Sequence, residues 1–381
     1  MLQVIPLAGF FAFALVLAGP PGSAAAAAGE GEAGGEVAAA PVDAGAEGEG
    51  EAGASAASGG TTAEASPGAA SAGAASAGAA SPAAPEHAAP EHVMEPLAPR
   101  HRLTYQNVFV LRANPLGLED RLTITYQRRL WKRHGALFED AHIGAGPAIN
   151  FAPSIARVGA FFQAVPLAIL HLRAAYYFIG YFGDPPFKAH PFTSPNDEFG
   201  PDQIHELSEM HKAIDTYGGQ AEFNALLQGK VGPVAIRNET SFFYNQIKLP
   251  GASDVFYDLR HDLLLPGTGW FLGNDSDILY VNDKHRFTVG ARGTVFHVWY
   301  PDWVWEPGDA RDDGANDHAR VGPLFAYRFK DRPQKRFMRP TLYVLAQWWV
   351  KHRYRTGQQV NQGIPLVVIG FSFTGDLWKR D

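Results

Sequence analysis

Two stretches of this chain set residue types that could do chemistry at close spacing. His205-Glu206-Leu207-Ser208-Glu209-Met210-His211 brings two imidazoles, two carboxylates and a hydroxyl together. The zinc-hydrolase pattern needs its histidines four positions apart, on one helical face. Here the second follows six positions after the first, so on a helix Glu209 would share a face with His205 and His211 would not. Asp309, Asp312, Asp313, Asn316 and Asp317, with Gly314 among them, offer oxygens of the kind calcium takes. Arg311 occupies a position where a ligand is wanted, and no Glu closes the loop. A serine hydrolase would need Ser beside His with an orienting acid. Ser241 with His261, or Ser208 with His205, can be paired on paper, but no spacing compels either in a chain with 14 histidines. There is no cysteine, hence no thiolate nucleophile, disulfide or thiolate metal site. The chain reads as a non-enzyme with no catalytic residues, no metal and no cofactor; the first stretch is a polar helical turn and the second a hydrated loop.

A different set of polar residues is placed by period. Arg121, Arg129, Arg173, Glu222, Arg237, Glu239, Arg292 and Gln347 fall within segments that alternate apolar and polar residues, on the polar face. From Tyr217 to Val231 the odd positions are Tyr, Gly, Ala, Phe, Ala, Leu, Gly and Val; the even ones include Gln220, Glu222, Asn224, Gln228 and Lys230. Successive side chains of a strand point to opposite faces, so such a segment has one oily and one wet face.

Alternation predicts strands over 103–112, 121–131, 142–151, 155–164, 167–182, 217–230, 234–247, 277–281, 286–299, 320–330, 339–353 and 364–376. A thirteenth stretch, 255–264, is weaker and is assigned to a loop. Long connections at 183–216, 248–276, 300–319 and 354–363 alternate with tighter ones near Val165-Pro166 and at 231–233, 282–285 and 331–338. Barrels that cross outer membranes alternate short turns with long outside loops in this way. The three N-terminal connections do not follow the rhythm. The fold class predicted is all-β, a closed antiparallel transmembrane β-barrel of about 12 strands with both termini on the short-turn side. A charge in hydrocarbon costs about 2–4 kcal/mol at mid-bilayer, so the alternating charged residues must line the lumen. A soluble two-sheet sandwich also alternates, but strands this long and this aromatic argue against it. No run of eighteen apolar residues occurs, which excludes a helical membrane protein.

The remainder of the chain has another character. Residues 1–28 carry the marks of a secretory signal: an apolar run from Val4 to Leu17, then small residues from Gly22 to Ala28. Met1-Leu2-Gln3 lacks the usual positive charge. Residues 29–100 are rich in Ala, Gly, Glu, Ser and Pro and contain no aromatic, so they predict a disordered tail. Eleven of the chain's 39 acidic residues precede its first basic residue, Arg100, leaving 28 against 32 Lys and Arg. An acidic tail therefore precedes a mildly basic domain at 101–381. Its basic residues are dispersed through alternating strands, which excludes a nucleic-acid surface.

Aromatic residues gather near strand ends, with Trp299, Tyr300, Trp303, Trp305, Trp348 and Trp378 read as an interfacial girdle. The last strand carries Ile369, Phe371 and Phe373, with Leu377-Trp378 beyond Gly375 and Lys379-Arg380-Asp381 trailing. At this point 101–381 resembles bacterial outer-membrane β-barrel proteins, in pattern and without a specific family. The resemblance implies a place in the bacterial outer membrane, the tail in the periplasm, and membrane lipids and the barrel-assembly machinery as partners. The inward charges of both signs could ring a narrow, porin-like pore for a small hydrophilic solute, or pair across the lumen and plug it; the pore is the reading taken. The alternatives are a non-conducting barrel that anchors or organises the envelope and, less favoured, an outer-membrane hydrolase.

Overall fold

The computed structural model describes residues 99–380, apart from 136, 139, 185–186, 252, 313, 331–336 and 358–361. The expected signal and most of the expected tail, residues 1–98, lie outside the described residues, as does Asp313.

Twelve antiparallel strands close into a barrel. In chain order they are β1 (His101–Ala113), β2 (Gly117–Arg129), β3 (His142–Phe151), β4 (Ile155–Leu167), β5 (Leu170–Tyr181), β7 (Thr216–Val231), β8 (Val234–Ile247), β11 (Thr268–Asn282), β12 (Phe287–Trp299), β13 (His318–Arg328), β14 (Met338–Lys351) and β15 (Leu366–Arg380). Each pairs with its neighbours around the wall, and β1 with β15 closes it, from His101 opposite Arg380 to Ala113 opposite Val367. Three short strands, β6 (His190–Phe192), β9 (Val255–Asp258) and β10 (Leu263–Pro266), form a separate sheet in the order β10-β9-β6. One helix, α1 (Pro201–Glu209), begins with Pro at its first turn, where the missing N–H costs nothing. Among the described residues no helix is long and apolar enough to cross a membrane.

The wall sorts side chains by parity. Phe223 and Leu227 of β7, Val158 and Phe162 of β4, Tyr176 and Phe178 of β5, and Ile278 of β11 share one face and are all exposed. Arg157, Gln220, Asn245, Asp277 and Gln347 on the other face are all buried. A soluble protein does not leave a continuous aromatic and aliphatic band in water; a membrane-spanning barrel presents it to lipid. Polar groups interrupt the band in places: Asn107 of β1 donates to Asp120 of β2 at 2.8 Å on the outer face, and a larger patch lies on β8 and β11. Asn238, Thr240, Asn274 and Ser276 occupy outward positions near mid-height of β8 and β11. They bond to one another: the Asn238 amide donates to Ser276 Oγ at 2.8 Å and the Asn274 amide to Thr240 Oγ1 at 2.8 Å. Satisfying one another lowers the cost of holding amides and hydroxyls at membrane depth. Elsewhere the strands approach very closely. The Tyr343 ring lies over Gly370 on the neighbouring strand, where an added Cβ would stand 1.9 Å from ring carbon Cζ.

The predicted strands recur, with differences. Residues 142–151 and 234–247 coincide with β3 and β8. The segment predicted as 277–281 is the last third of β11, which starts at Thr268. Its polar outward pair Asn274 and Ser276 alternates with inward Asp275 and Asp277, so no oily face marks its middle and it reads as loop. The bend expected at Val165-Pro166 falls later, because β4 continues through Pro166 to Leu167. The weak stretch 255–264 does lie in a connection, but as the β9–β10 hairpin.

The connections after β5, β8, β12 and β14 leave one end of the barrel, and those at 168–169, 232–233 and 283–286 the other. The N-terminal pairs invert the rhythm. On the long-loop end, β1 and β2 are joined by 114–116 and β3 and β4 by 152–154; on the other end, β2 and β3 are joined by 130–141. The wall is therefore low on one side of the mouth.

The hairpin is folded into that mouth. Val255, Phe256, Tyr257, Leu263, Leu264 and Leu265 are at most 4% exposed. They cluster with Ile179, Tyr181, Phe243, Phe271 and Val298, which face inward from the wall near the long-loop end. The Tyr181 and Phe256 rings meet edge to face at 5.7 Å, and Tyr300 Oη donates to the Leu264 carbonyl at 2.7 Å. Each fully buried side chain of this kind contributes about 1.5–3 kcal/mol relative to exposure, so the hairpin is a docked element.

Candidate lumenal site

Below the hairpin the inward parity brings ionised groups from distant strands together. The Arg121 guanidinium pairs with Glu119 at 2.6 Å. Arg157 donates to Gln220 Oε1 at 2.6 Å and to Glu222 Oε2 at 2.9 Å, its guanidinium over the Tyr177 ring. Arg237 pairs with Glu239 and faces Asp277. Arg292 holds Asp277 with two hydrogen bonds, at 2.7 and 2.8 Å, and lies 3.5 Å from Asp275. Gln347 Nε2 donates to Thr294 Oγ1 at 2.9 Å, and Thr294 to Asp275 at 2.6 Å. Two-pronged guanidinium–carboxylate contacts fix geometry as well as charge.

The hairpin tip, 259–262, hangs over these pairs and is held from several directions. Arg112 of β1 donates Nη1 to the Arg260 carbonyl at 2.6 Å and Nη2 to the Leu259 carbonyl at 3.0 Å. His318 of β13 donates to the His261 carbonyl at 2.8 Å, and His352, just past β14, to the Asp262 carbonyl at 3.2 Å. Asp262 also accepts from Tyr257 Oη at 2.7 Å and from Arg355. Burial alone would raise the Asp262 carboxyl, but the His352 hydrogen bond and the Arg355 guanidinium hold it well below the usual carboxylate range. Burial, reinforced by neighbouring Arg260, pushes the His261 imidazole down to about 4, so it is neutral at pH 7. Its Nδ1 bonds Asp258, whose carboxyl is also held low.

A cavity of about 710 Å³ runs from the low side of the mouth, at Pro115, Leu116 and Pro153, down to Tyr343 and Arg237. Seven arginines and five carboxylates line it. Arg121, Glu222, Arg237, Glu239, Arg292 and Gln347 are among its lining residues. Arg173 faces inward outside that lining, over the Phe161 ring and 3.0 Å from Tyr177 Oη. Arg129 ends β2 at the tight-turn end. Arg112, Arg157, Arg260 and Arg320 also line the cavity, and sequence reasoning did not single them out. Arg157 shares its face with Ile155 and Phe161 while Val158 and Phe162 fill the other, so both faces read as oily and parity is silent. Arg260 reaches the lumen through a hairpin, which no local pattern announces.

The other sequence candidates separate. His205 and Glu209 meet at 3.3 Å across one exposed face of α1, while His211 lies past the helix end with φ 55°. Ser208 Oγ donates to the Ile204 carbonyl and contacts His190, not His205. Ser241 accepts from Asn224, and no hydrogen bond joins it to His261 among the described residues. Among those residues no group of three or more His, Asp or Glu is placed to hold a metal. Trp299, Trp348 and Trp378 are exposed on the outer face near strand ends, and Trp303 is exposed in the loop layer. Tyr300 and Trp305 differ from the expected girdle: they are buried, ring against ring, within the loops.

No family model matches the chain, and no curated protein matches it. Solved structures do. CdiB from Acinetobacter baumannii aligns at 8% identity over 73% of this chain, with a TM-score of 0.34; the alignment spans 60% of CdiB's own length. The translocator domain of the autotransporter NalP from Neisseria meningitidis aligns at 9% identity over 75% of this chain and 90% of that one, with a TM-score of 0.34. The outer membrane protein OprD from Pseudomonas aeruginosa aligns at 7% identity over 75% and 95% respectively, with a TM-score of 0.26.

Proposed function

We propose that the chain is a bacterial outer-membrane barrel whose lumen gives narrow, selective passage to small hydrophilic solutes. The observation that carries this reading is the cavity: it starts at the mouth, descends between ion pairs, and is lined by ionised groups from both halves of the wall. A lumen with fixed charges selects solutes by field and by bore. Arg121, Arg237, Glu239 and Arg292 are the wall residues that would set that field, and the hairpin tip would set the bore. Membrane lipid would surround the outward aromatic band, and the tail would lie in the periplasm. The assembly machinery would read the last strand, with its Phe371, Phe373 and Trp378.

Planar-bilayer recording of the folded full chain tests the reading. Discrete channel events of small conductance are expected; their complete absence from folded, inserted protein would overturn it. The docked hairpin favours a second reading, a closed barrel that anchors or organises the envelope, and that same absence would select it.

A further inference from the structure

Four of the seven arginines that line the cavity are neutralised pairwise: Arg121 by Glu119, Arg157 by Glu222, Arg237 by Glu239, and Arg292 by Asp277. Arg112, Arg260 and Arg320 are not. They line the same cavity, from β1, the hairpin tip and β13, and among the described residues none has a carboxylate at ion-pair distance. Arg112 bonds only neutral backbone carbonyls. Arg260 Nε and Nη1 and Arg320 Nε are buried with no hydrogen-bond partner at all. The remaining Arg260 nitrogen has one long contact, 3.4 Å from the Gln220 oxygen. Arg112 feels the attraction of Glu119 and Asp258, and Arg320 that of Asp275 and Asp262, none of them at ion-pair distance from it, and Arg112 stands near enough to Arg260 and Arg320 for their charges to repel as well. A buried donor left unsatisfied is costly, and a charged one more so. Water can accept such hydrogen bonds but cannot neutralise three like charges; an anion does both.

We propose that this cluster binds a small solute bearing an oxyanion, carboxylate or phosphate, held between Arg112, Arg260 and Arg320. The planar fork of a guanidinium matches two oxygens of either group. The cavity, about 710 Å³, falls within the roughly 300–1,000 Å³ usual for small-ligand sites. The proposal names the solute class for the passage proposed above and rests on that reading for its role, though binding itself does not require conduction.

The test is calorimetric titration of the folded full chain in detergent with sodium succinate, with inorganic phosphate and with glucose. Saturable binding of succinate, of phosphate or of both is expected, and none of glucose; whichever binds identifies the group. Arg260→Gln and Arg320→Gln should each weaken binding at least tenfold, and Arg320→Lys, which keeps the charge and loses the fork, by less. Arg128→Gln, on the outer face, should leave binding unchanged. Circular dichroism and heat-resistant migration identify variants that fold. No saturable binding by the parent protein, or unchanged affinity in folded Arg260→Gln and Arg320→Gln, overturns the proposal. Binding without channel events keeps the site and defeats the pore. Channel events without oxyanion binding keep the pore and defeat the site.

Discussion

Asp262 ties the hairpin tip to the segments around it. It accepts from Tyr257 and Arg355, and its carbonyl accepts from His352. Replacing it by Asn leaves Arg355 unneutralised in a closed environment, where breaking such a pair costs about 3–5 kcal/mol. The expected outcome for Asp262→Asn is a loosened tip, read as new protease cleavage within 254–267 while the barrel resists. Acid should act in the same direction. His261 titrates at about 4 in the folded protein against 6.5 when free, so the folded state binds fewer protons between those values. Its contribution to docking is complete above pH 6.5 and is lost as the pH falls toward 4. Asp262, depressed in the fold, adds stability above its ordinary 3.8 that is lost only at more acid pH. Protease sensitivity of 254–267 should therefore rise between pH 6.5 and 4 and stay flat from pH 7 to 8; a flat profile throughout would contradict this. None of these roles was legible in the sequence. Asp262, His352 and Arg355 meet through tertiary contact, and the only local sign was a short apolar run around 255–265.

At the scale of elements, the hairpin decides how much of the bore is filled. It contributes no strand to the wall, so replacing 254–267 by a short Gly-Ser link should leave the twelve-strand barrel standing. The expected result is a conductance several-fold above that of the parent chain, measured per channel in planar bilayers; an unchanged value would mean the hairpin is not the constriction. The wall strands were largely legible because parity is a local property. Where it failed, the cause was physical. In the middle of β11 the outward positions carry Asn274 and Ser276, which bond each other and their neighbours on β8, so that stretch of the strand has no oily face to betray it. In β4 the proline at 166 sits in the last turn-side positions of the strand and does not end it. The short connections 114–116 and 152–154 broke the expected rhythm, and it is beside them that the cavity reaches the mouth.

The molecule as a whole separates oil from charge across a single layer of backbone. Phe223 and Asn224 are adjacent at mid-height of β7, one exposed outward and the other bonded inward to Ser241. Phe223→Arg should destabilise the membrane-inserted state by about 2–4 kcal/mol, while Asn224→Arg, facing the lumen, should cost far less. Urea unfolding of the two variants in lipid vesicles measures the difference, and equal values would put the lipid boundary elsewhere. This sidedness is what the alternation in sequence encodes, so the class of fold was readable before any contact was known. The contents of the bore were not, because they depend on which distant strands come face to face.

The tip of the hairpin also touches the place where the cylinder is joined to itself. Arg112 grips it from the first strand, and Arg355, from the segment that leads into the last strand, grips it and donates to Asn114 at 2.6 Å. Asn114 in turn donates to the Ile364 carbonyl at 3.1 Å. One inserted finger thus cross-braces the seam between β1 and β15, and prying those two strands apart at the rim requires withdrawing the finger first.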